Sequence, residues 1–379
     1  MKDTEKFKKI RVFYVLHKIE KALAYEWIIT HIDPNIELSF ISLNNKSQTE
    51  LAEFCRKHNV PFYHIFYQSK LDLAWAWLKL FWLLLHKRPD VVHAHMFEAG
   101  LIGITSAWAA GIKKRIYTRH YSTQHHEYAP QGVKYDKIIN RFATQIIAIS
   151  ENVRQTLTEL EGCSSKKIAL VHHGFALHEF EQIEAARVEY LKEKYHINGS
   201  PVIGVISRYL HLKGIQYIIP AFKKLLIDYP DAFLLLANAR GEYKHTIHEL
   251  LKDLPKKNYG EIDFESDIVA LYKCFDLFIH VPINERIEAF GQIYVEALAA
   301  GIPSVFTLSG VATEFIRNRE NALVVDYKNV DQVYHAMKSL LDNPVLRDNI
   351  IEEGKNGLNK LFDIEKMINK LEIIYSINS

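Results

Sequence analysis

Residues 201–222 read PVIGVISRYLHLKGIQYIIPAF and hold a strand, a loop and the start of a helix in immediate succession. Residues 202–207 are short, apolar and β-branched, and Pro201 bounds them. From Ile215 the apolar residues continue long enough for a helix rather than a second strand. The same unit recurs on both sides. RVFYVL, ELSFISL, VPFYHIF, DVVHAH, RIYT and QIIAIS precede it, and AFLLLAN, DLFIHV and PSVFT follow, each set apart by helix-length sequence. Such alternation implies parallel sheets covered by helices on both faces. Just upstream, the charged helix EAARVEYLKEKYHINGS stops at Asn198, Gly199 and Ser200, so Pro201 restarts the pattern. The expectation is α/β, with two doubly wound domains in series and a boundary between 176 and 200. Ligands of such sheets bind at the carboxyl ends of the strands, which makes a cleft between the domains the expected site.

The bulk numbers agree with that size. At 379 residues the chain exceeds one ordinary core, and 48% apolar residues, 24% charged residues and a formal charge of +2 describe a globular protein. No nucleic acid or other polyanion partner is implied. Cys55, Cys163 and Cys274 stand far apart with no CxxC, so neither a disulfide framework nor a thiolate metal site is expected, and a reducing, cytoplasmic setting is. The start, MKDTEKFKKIRVFYVL, is polar with too short an apolar run for a cleavable signal, and reads as a frayed lead into a strand. LDLAWAWLKLFWLLLHKRPD is interrupted by Lys79 and falls short of the roughly 20 residues of a membrane span.

Polar residues gather at the expected strand ends: His93 and His95 after DVV, Arg119 and His120 after RIYT, Ser207 and Arg208 after VIGVI. Arg208 just past a strand and Lys213 just before a helix that begins near Gly214 could together hold a pyrophosphate, the guanidinium by paired hydrogen bonds and the ammonium as a point charge. Solvated loop charges are the alternative. INERIEAFGQIYVEALAAG supplies the complement. A helix is expected from Phe290 or Gly291, where glycine lets the backbone come close and free N–H groups favour an anion. Glu296 then lies about a turn and a half inside that helix, where a carboxylate is costly unless hydrogen-bonded. It would repel phosphate, so sugar hydroxyls are its natural partners; neutralisation by a core histidine or lysine stays open beside that reading.

These residues carry a resemblance. Glu288 and Glu296 form E-x7-E within EAFGQIYVEALAAGIPSV, and RPDVVHAHMFEAGLIG, IIAISENVRQTL, IALVHHGF and ISRYLHLKG follow one family's order of motifs. The chain resembles family 4 glycosyltransferases, retaining enzymes of the GT-B fold, over most of its length. The resemblance implies that Arg208 and Lys213, with Ser207 beside them, bind a donor diphosphate, and that Glu296 binds ribose hydroxyls. It implies that Glu288 contacts the transferred sugar, that the backbone at Phe290 and Gly291 approaches the phosphates, and that His120 reaches the donor sugar. Catalysis would rest on His120, Arg208, Lys213 and Glu288. No D-x-D occurs, and the resemblance implies no catalytic metal and no cofactor beyond the nucleotide diphosphate sugar, UDP ahead of GDP. The expected domains are 1–178 on the acceptor side, 179–360 on the donor side, and a helix in 361–379 that packs back on the first. A saccharide or lipid-linked acceptor is implied, in synthesis of cell-surface polysaccharide, lipopolysaccharide or glycolipid.

Three departures stand out. VLHKIEKALAYEW replaces the family's Gly-Gly loop, ANARGEY keeps only Gly241 of its glycine stretch, and Glu285 is a second acid next to Glu288. Alternatives are a sugar nucleotide epimerase, a non-catalytic binding protein, and a metal-dependent hydrolase built on His93, His95, His125, His126, His172 and His173. The segment 71–86 carries two apolar stripes. Leu71, Ala74, Trp75, Leu78, Phe81, Trp82 and Leu85 are expected to pack on a sheet, with Leu73, Trp77, Leu80 and Leu84 beside them. Deep burial is the favoured outcome. Peripheral contact with the inner face of a membrane, aided by Lys2, Lys6, Lys8, Lys9 and Arg11, is the other.

Overall fold

The structure, a computed structural model, describes residues 9–20, 23–181 and 183–376. Near-continuous burial along the strands is what parallel pairing between two helical layers requires, and the apolar runs supply it. In chain order the first strands are β1 (Ile10–His17), β2 (Ile36–Asn44), β3 (Phe62–Phe66), β4 (Val91–His95), β5 (Lys114–Arg119), β6 (Gln145–Ala148) and β7 (Ile168–Leu170). They form one parallel sheet in the order β3-β2-β1-β4-β5-β6-β7. The second set is β8 (Val202–Ile206), β9 (Phe233–Ala237), β10 (Tyr259–Ile262), β11 (Leu277–His280), β12 (Ser304–Phe306) and β13 (Leu323–Val324), in the order β10-β9-β8-β11-β12-β13. Both orders reverse direction beside their first strand, which is the doubly wound arrangement and puts a crevice at that reversal.

The chain divides into two compact units: residues 1–175 with 362–379, and residues 176–361. In the first unit, the helix Ile364–Ser376 lies against β1. The Tyr375 hydroxyl meets those of Tyr14 at 2.5 Å and the Nδ1 of His93 at 2.7 Å, and the Tyr375 carbonyl accepts from Lys114 Nζ at 3.1 Å. Burial raises the Tyr14 hydroxyl far above its ordinary pKa, so both phenols stay neutral. In the second unit, Ile218, Phe222 and Leu225 of the helix Ile215–Asp228 pack with Leu234, Leu236, Ile279 and Met337 into one core.

The expectation for 71–86 is corrected. The helix Leu73–Lys87 packs through Ala76, Leu80 and Leu84, and Trp77 Nε1 donates to Thr105 Oγ1 of the neighbouring helix at 2.9 Å. The stripe expected to pack on the sheet instead faces outward: Leu71, Trp75, Leu78 and Trp82 are exposed. Both stripes are apolar, and one helix has only one inward face.

Candidate active site

At the carboxyl edge of the second sheet, the chain leaving β8 runs through Ser207 and Arg208 to the short turn His211–Lys213, and Gly214 starts the next helix. Gly214 has φ +77°, and a Cβ there would lie 1.8 Å from the carbonyl oxygen of Val281, just past β11. Only glycine permits that approach. Ile283 N donates to the Leu212 carbonyl at 3.1 Å, so the Lys213 turn and the chain after β11 are fastened together.

That contact delivers Lys213 to Glu288. Lys213 Nζ lies 2.5 Å from Glu288 Oε1, and His280 Nε2, at the end of β11, reaches the same oxygen at 3.1 Å. The Glu288 N–H donates to Ser309 Oγ at 3.1 Å. Burial by itself would push the Glu288 carboxyl up, but the Lys213 charge and the hydrogen bonds from His280 and Lys213 outweigh it and hold the acid well below the usual range. Burial lowers His280, which keeps its imidazole neutral and leaves Nε2–H to donate to the carboxylate. Glu285, the neighbouring acid, is exposed and offers its backbone carbonyl to Gly310 N at 2.9 Å. Of the two acids, Glu288 is the one paired to the cation.

The helix Gln292–Ala299 begins at Gly291, whose φ of +86° would set a Cβ 2.6 Å from the Tyr294 ring. Phe290 is buried, and its carbonyl accepts from Val311 N at 2.9 Å. Glu296 faces a different environment from Glu288. Its Oε2 accepts from the Tyr272 hydroxyl at 2.9 Å, and burial, opposed by that hydrogen bond, pushes its pKa up to about 7. Ser207 is buried, and Arg208 is exposed with no ion-pair partner among the described residues. One cation of the expected pair is therefore held in advance and the other reaches into solvent.

His120 belongs to the first unit, at the end of β5. Its Nε2 lies 3.0 Å from His95 Nδ1, and its ring stacks on that of His173 at 5.4 Å. Burial lowers His95, His120 and His173, the last to about 4, so the cluster is neutral at ordinary pH. His93 and His95 lie inside β4 rather than beyond it, and His93 Nε2 is taken up by Thr118 Oγ1 at 2.7 Å. Two other histidines of the metal alternative go elsewhere. His125 pairs with Asp136 at 2.7 Å and His126 with Glu161 at 3.3 Å, around the buried Arg119, whose guanidinium reaches Asp136 at 3.0 Å and Glu161 at 2.7 Å. Among the described residues no three His, Cys, Asp or Glu side chains converge to hold a metal ion. Of the segment VLHKIEKALAYEW that stands in place of the Gly-Gly loop, Lys21 and Ala22 lie outside the described residues.

Two family models match: glycosyl transferases group 1 over residues 188–357 and glycosyltransferase family 4 over residues 32–179. The chain belongs to glycosyltransferase family 4. Among curated relatives of this family 4 glycosyltransferase, the capsular polysaccharide biosynthesis glycosyltransferase CapM of Staphylococcus aureus is 27% identical over 307 residues, 78% of each chain. A GDP-mannose-dependent monoacylated phosphatidylinositol monomannoside mannosyltransferase of Corynebacterium glutamicum is 31% identical over 155 residues, 39% of this chain and 40% of that one. In fold, the Anabaena protein HepE, solved with UDP and glucose, superposes with a TM-score of 0.83 at 17% identity, over 97% of this chain and 100% of that one. Its architecture is GT-B.

Sequence reasoning did not single out His280, Ser309 or Tyr272. His280 had a signal, as a polar residue ending the apolar run DLFIHV at the edge where the other site residues collect.

Proposed function

We propose that this glycosyltransferase moves a sugar from a nucleotide diphosphate sugar, UDP ahead of GDP, to an acceptor hydroxyl with retention of anomeric configuration, in assembly of a cell-surface polysaccharide, lipopolysaccharide or glycolipid. The observation that carries this reading is the preset Lys213–Glu288–His280 cluster beside the glycine-marked start of the helix Gln292–Ala299. The helix N-terminus and the exposed Arg208 suit the diphosphate. Lys213, fixed in advance by Glu288, suits the charge that develops on a departing phosphate, which is the logic of electrostatic preorganisation. Glu288, tied to a lysine and a histidine and held well below the usual carboxyl range, is a weak base and a weak nucleophile. It suits an acceptor of hydrogen bonds from the transferred sugar better than the nucleophile of a retaining glycosidase. The acceptor oxygen then bonds to the anomeric carbon as the bond to phosphate breaks, and the acceptor's proton passes to the departing phosphate oxygen. Glu296, ionised by the approach of ribose hydroxyls, closes the other end of the donor, and the neutral His120 offers a hydrogen bond to the sugar. The S. aureus relative is named for capsular polysaccharide, which supports the pathway class.

A thermal-shift series with UDP, GDP, UDP-glucose and GDP-mannose tests the donor, because a ligand of the native state alone raises the melting temperature by mass action. The expected result is a rise with one nucleotide and a larger one with its sugar conjugate. No rise with any of the four overturns the donor reading. Epimerised sugar nucleotide formed without acceptor would replace transfer by epimerisation.

A further inference from the structure

The exposed stripe of the helix Leu73–Lys87 and the turn before it is a feature that the transfer reading leaves unused. Leu71 is 93% exposed, Trp75 59%, Leu78 44% and Trp82 57%. At 100° per residue Trp75, Leu78 and Trp82 fall within about 60° of arc and form one ridge, with Leu71 in the turn just before the helix. The opposite face is already satisfied by packing through Ala76, Leu80 and Leu84. A helix face meant only for water would be polar.

We propose that this ridge docks on an anionic lipid surface. The charges around it decide between occupants. Residues 70–88 hold four cations, Lys70, Lys79, Lys87 and Arg88, against the single acid Asp72. By helical geometry Lys79 flanks the ridge, and Lys70 in the turn before the helix and Arg88 at its C-terminal cap stand at the two ends. Asp72 is turned to the chain, where its Oδ2 accepts from the N–H groups of Gln68 and Ser69 at 2.9 Å each. The Lys79 ammonium stands 5.2 Å from the Trp75 ring centre, a cation over the indole at the boundary between apolar ridge and charged flank. An apolar ridge with two tryptophans and flanking lysines matches the layering of an anionic bilayer, with acyl chains beneath and phosphates above. A second copy would bring two such sets of cations together, which electrostatics opposes. The helix lies on the surface and does not cross it. Fifteen residues span about 22 Å against a hydrocarbon core of about 30 Å, and among the described residues no helix is long and apolar enough to span a membrane. Lys2, Lys6 and Lys8 lie outside the described residues, Lys9 pairs with Glu37 at 3.3 Å and Arg11 with Asp90 at 3.6 Å.

The test is co-flotation with phosphatidylcholine vesicles, with and without about one third phosphatidylglycerol, for the full chain, Trp75→Ser/Trp82→Ser and Lys70→Glu/Lys79→Glu. The substituted side chains are exposed, and an unchanged melting temperature verifies the fold of each variant. The full chain is expected to float with the anionic vesicles at least tenfold better than with the neutral ones. The tryptophan variant is expected to lose about tenfold or more of that binding, and the lysine variant to lose the preference for anionic lipid. Failure of the full chain to bind anionic vesicles overturns the proposal, and so does binding unchanged in the tryptophan variant. Self-association of the full chain that Trp75→Ser/Trp82→Ser abolishes would give the ridge to a second copy and overturn it too. The readout is partition, so it stands or falls apart from sugar transfer.

Discussion

Glu288 and Glu296 lie eight residues apart on one stretch, and the second unit treats them in opposite ways. Glu288 meets a lysine and a histidine and is held charged; Glu296 meets one tyrosine hydroxyl and is pushed toward neutrality. Burial acts on both in the same direction, so the difference comes from partners alone. The lesson is that regular spacing brings two acids to one helix start, whereas the charge each carries before substrate arrives is set by side chains from other strands.

The strongest way to break the comparison is to remove the cation. Lys213→Ala is expected to lower turnover about 10²-fold or more, since loss of one aimed donor commonly costs that much, and steady-state rates at saturating donor measure it. Unchanged turnover would take Lys213 out of the mechanism. Glu288→Gln leaves the Lys213 charge without its counter-ion and is expected to destabilise the fold by about 2–4 kcal/mol at neutral pH in urea unfolding. Because the folded pKa of Glu288 is depressed, that contribution is present above the unfolded value near 4.3 and fades as pH falls below it. The two proteins should therefore converge in acid.

Glu296→Gln should do the reverse. The folded pKa of Glu296 is raised to about 7, so the unfolded chain releases its proton first and the fold loses stability as pH rises from about 4.3 to about 7. The amide removes that loss, and at pH 8 the variant is expected to be more stable by on the order of 1–3 kcal/mol while binding donor more weakly. A variant that is destabilised, or that binds donor as before, would return Glu296 to the reading of a neutralised core acid. The smallest effect is expected from Tyr272→Phe, about 1 kcal/mol of stability from the lost hydrogen bond. It should also carry the Glu296 titration above about 7, readable by carboxyl NMR.

Most of the strands were legible because parallel strands are buried on both faces and therefore read as apolar runs. The exceptions, β7, β10 and β13, lie at sheet edges and are only partly buried. The glycine-marked helix start and the Arg208–Lys213 loop were legible as well, since loop length and turn chemistry are local. Tyr272 was not: it meets Glu296 only because the short helix Ile268–Tyr272 is carried there by the sheet. Nor could periodicity choose between the two apolar stripes of Leu73–Lys87, because Thr105, which takes the Trp77 indole N–H, sits on another helix.

The docked helix Ile364–Ser376 puts the first unit under a condition of timing. The chain leaves that unit at Phe175 and rejoins it at Phe362; Phe175 and Asp363 form a bridge, and Phe175 N donates to the Phe362 carbonyl at 2.8 Å. On the ribosome, β1 and β4 emerge long before Tyr375. Until all of residues 176–361 has been made, Tyr14 and His93 wait for the hydroxyl that joins them, and Lys114 for the carbonyl that it caps. The unit that begins first is finished last.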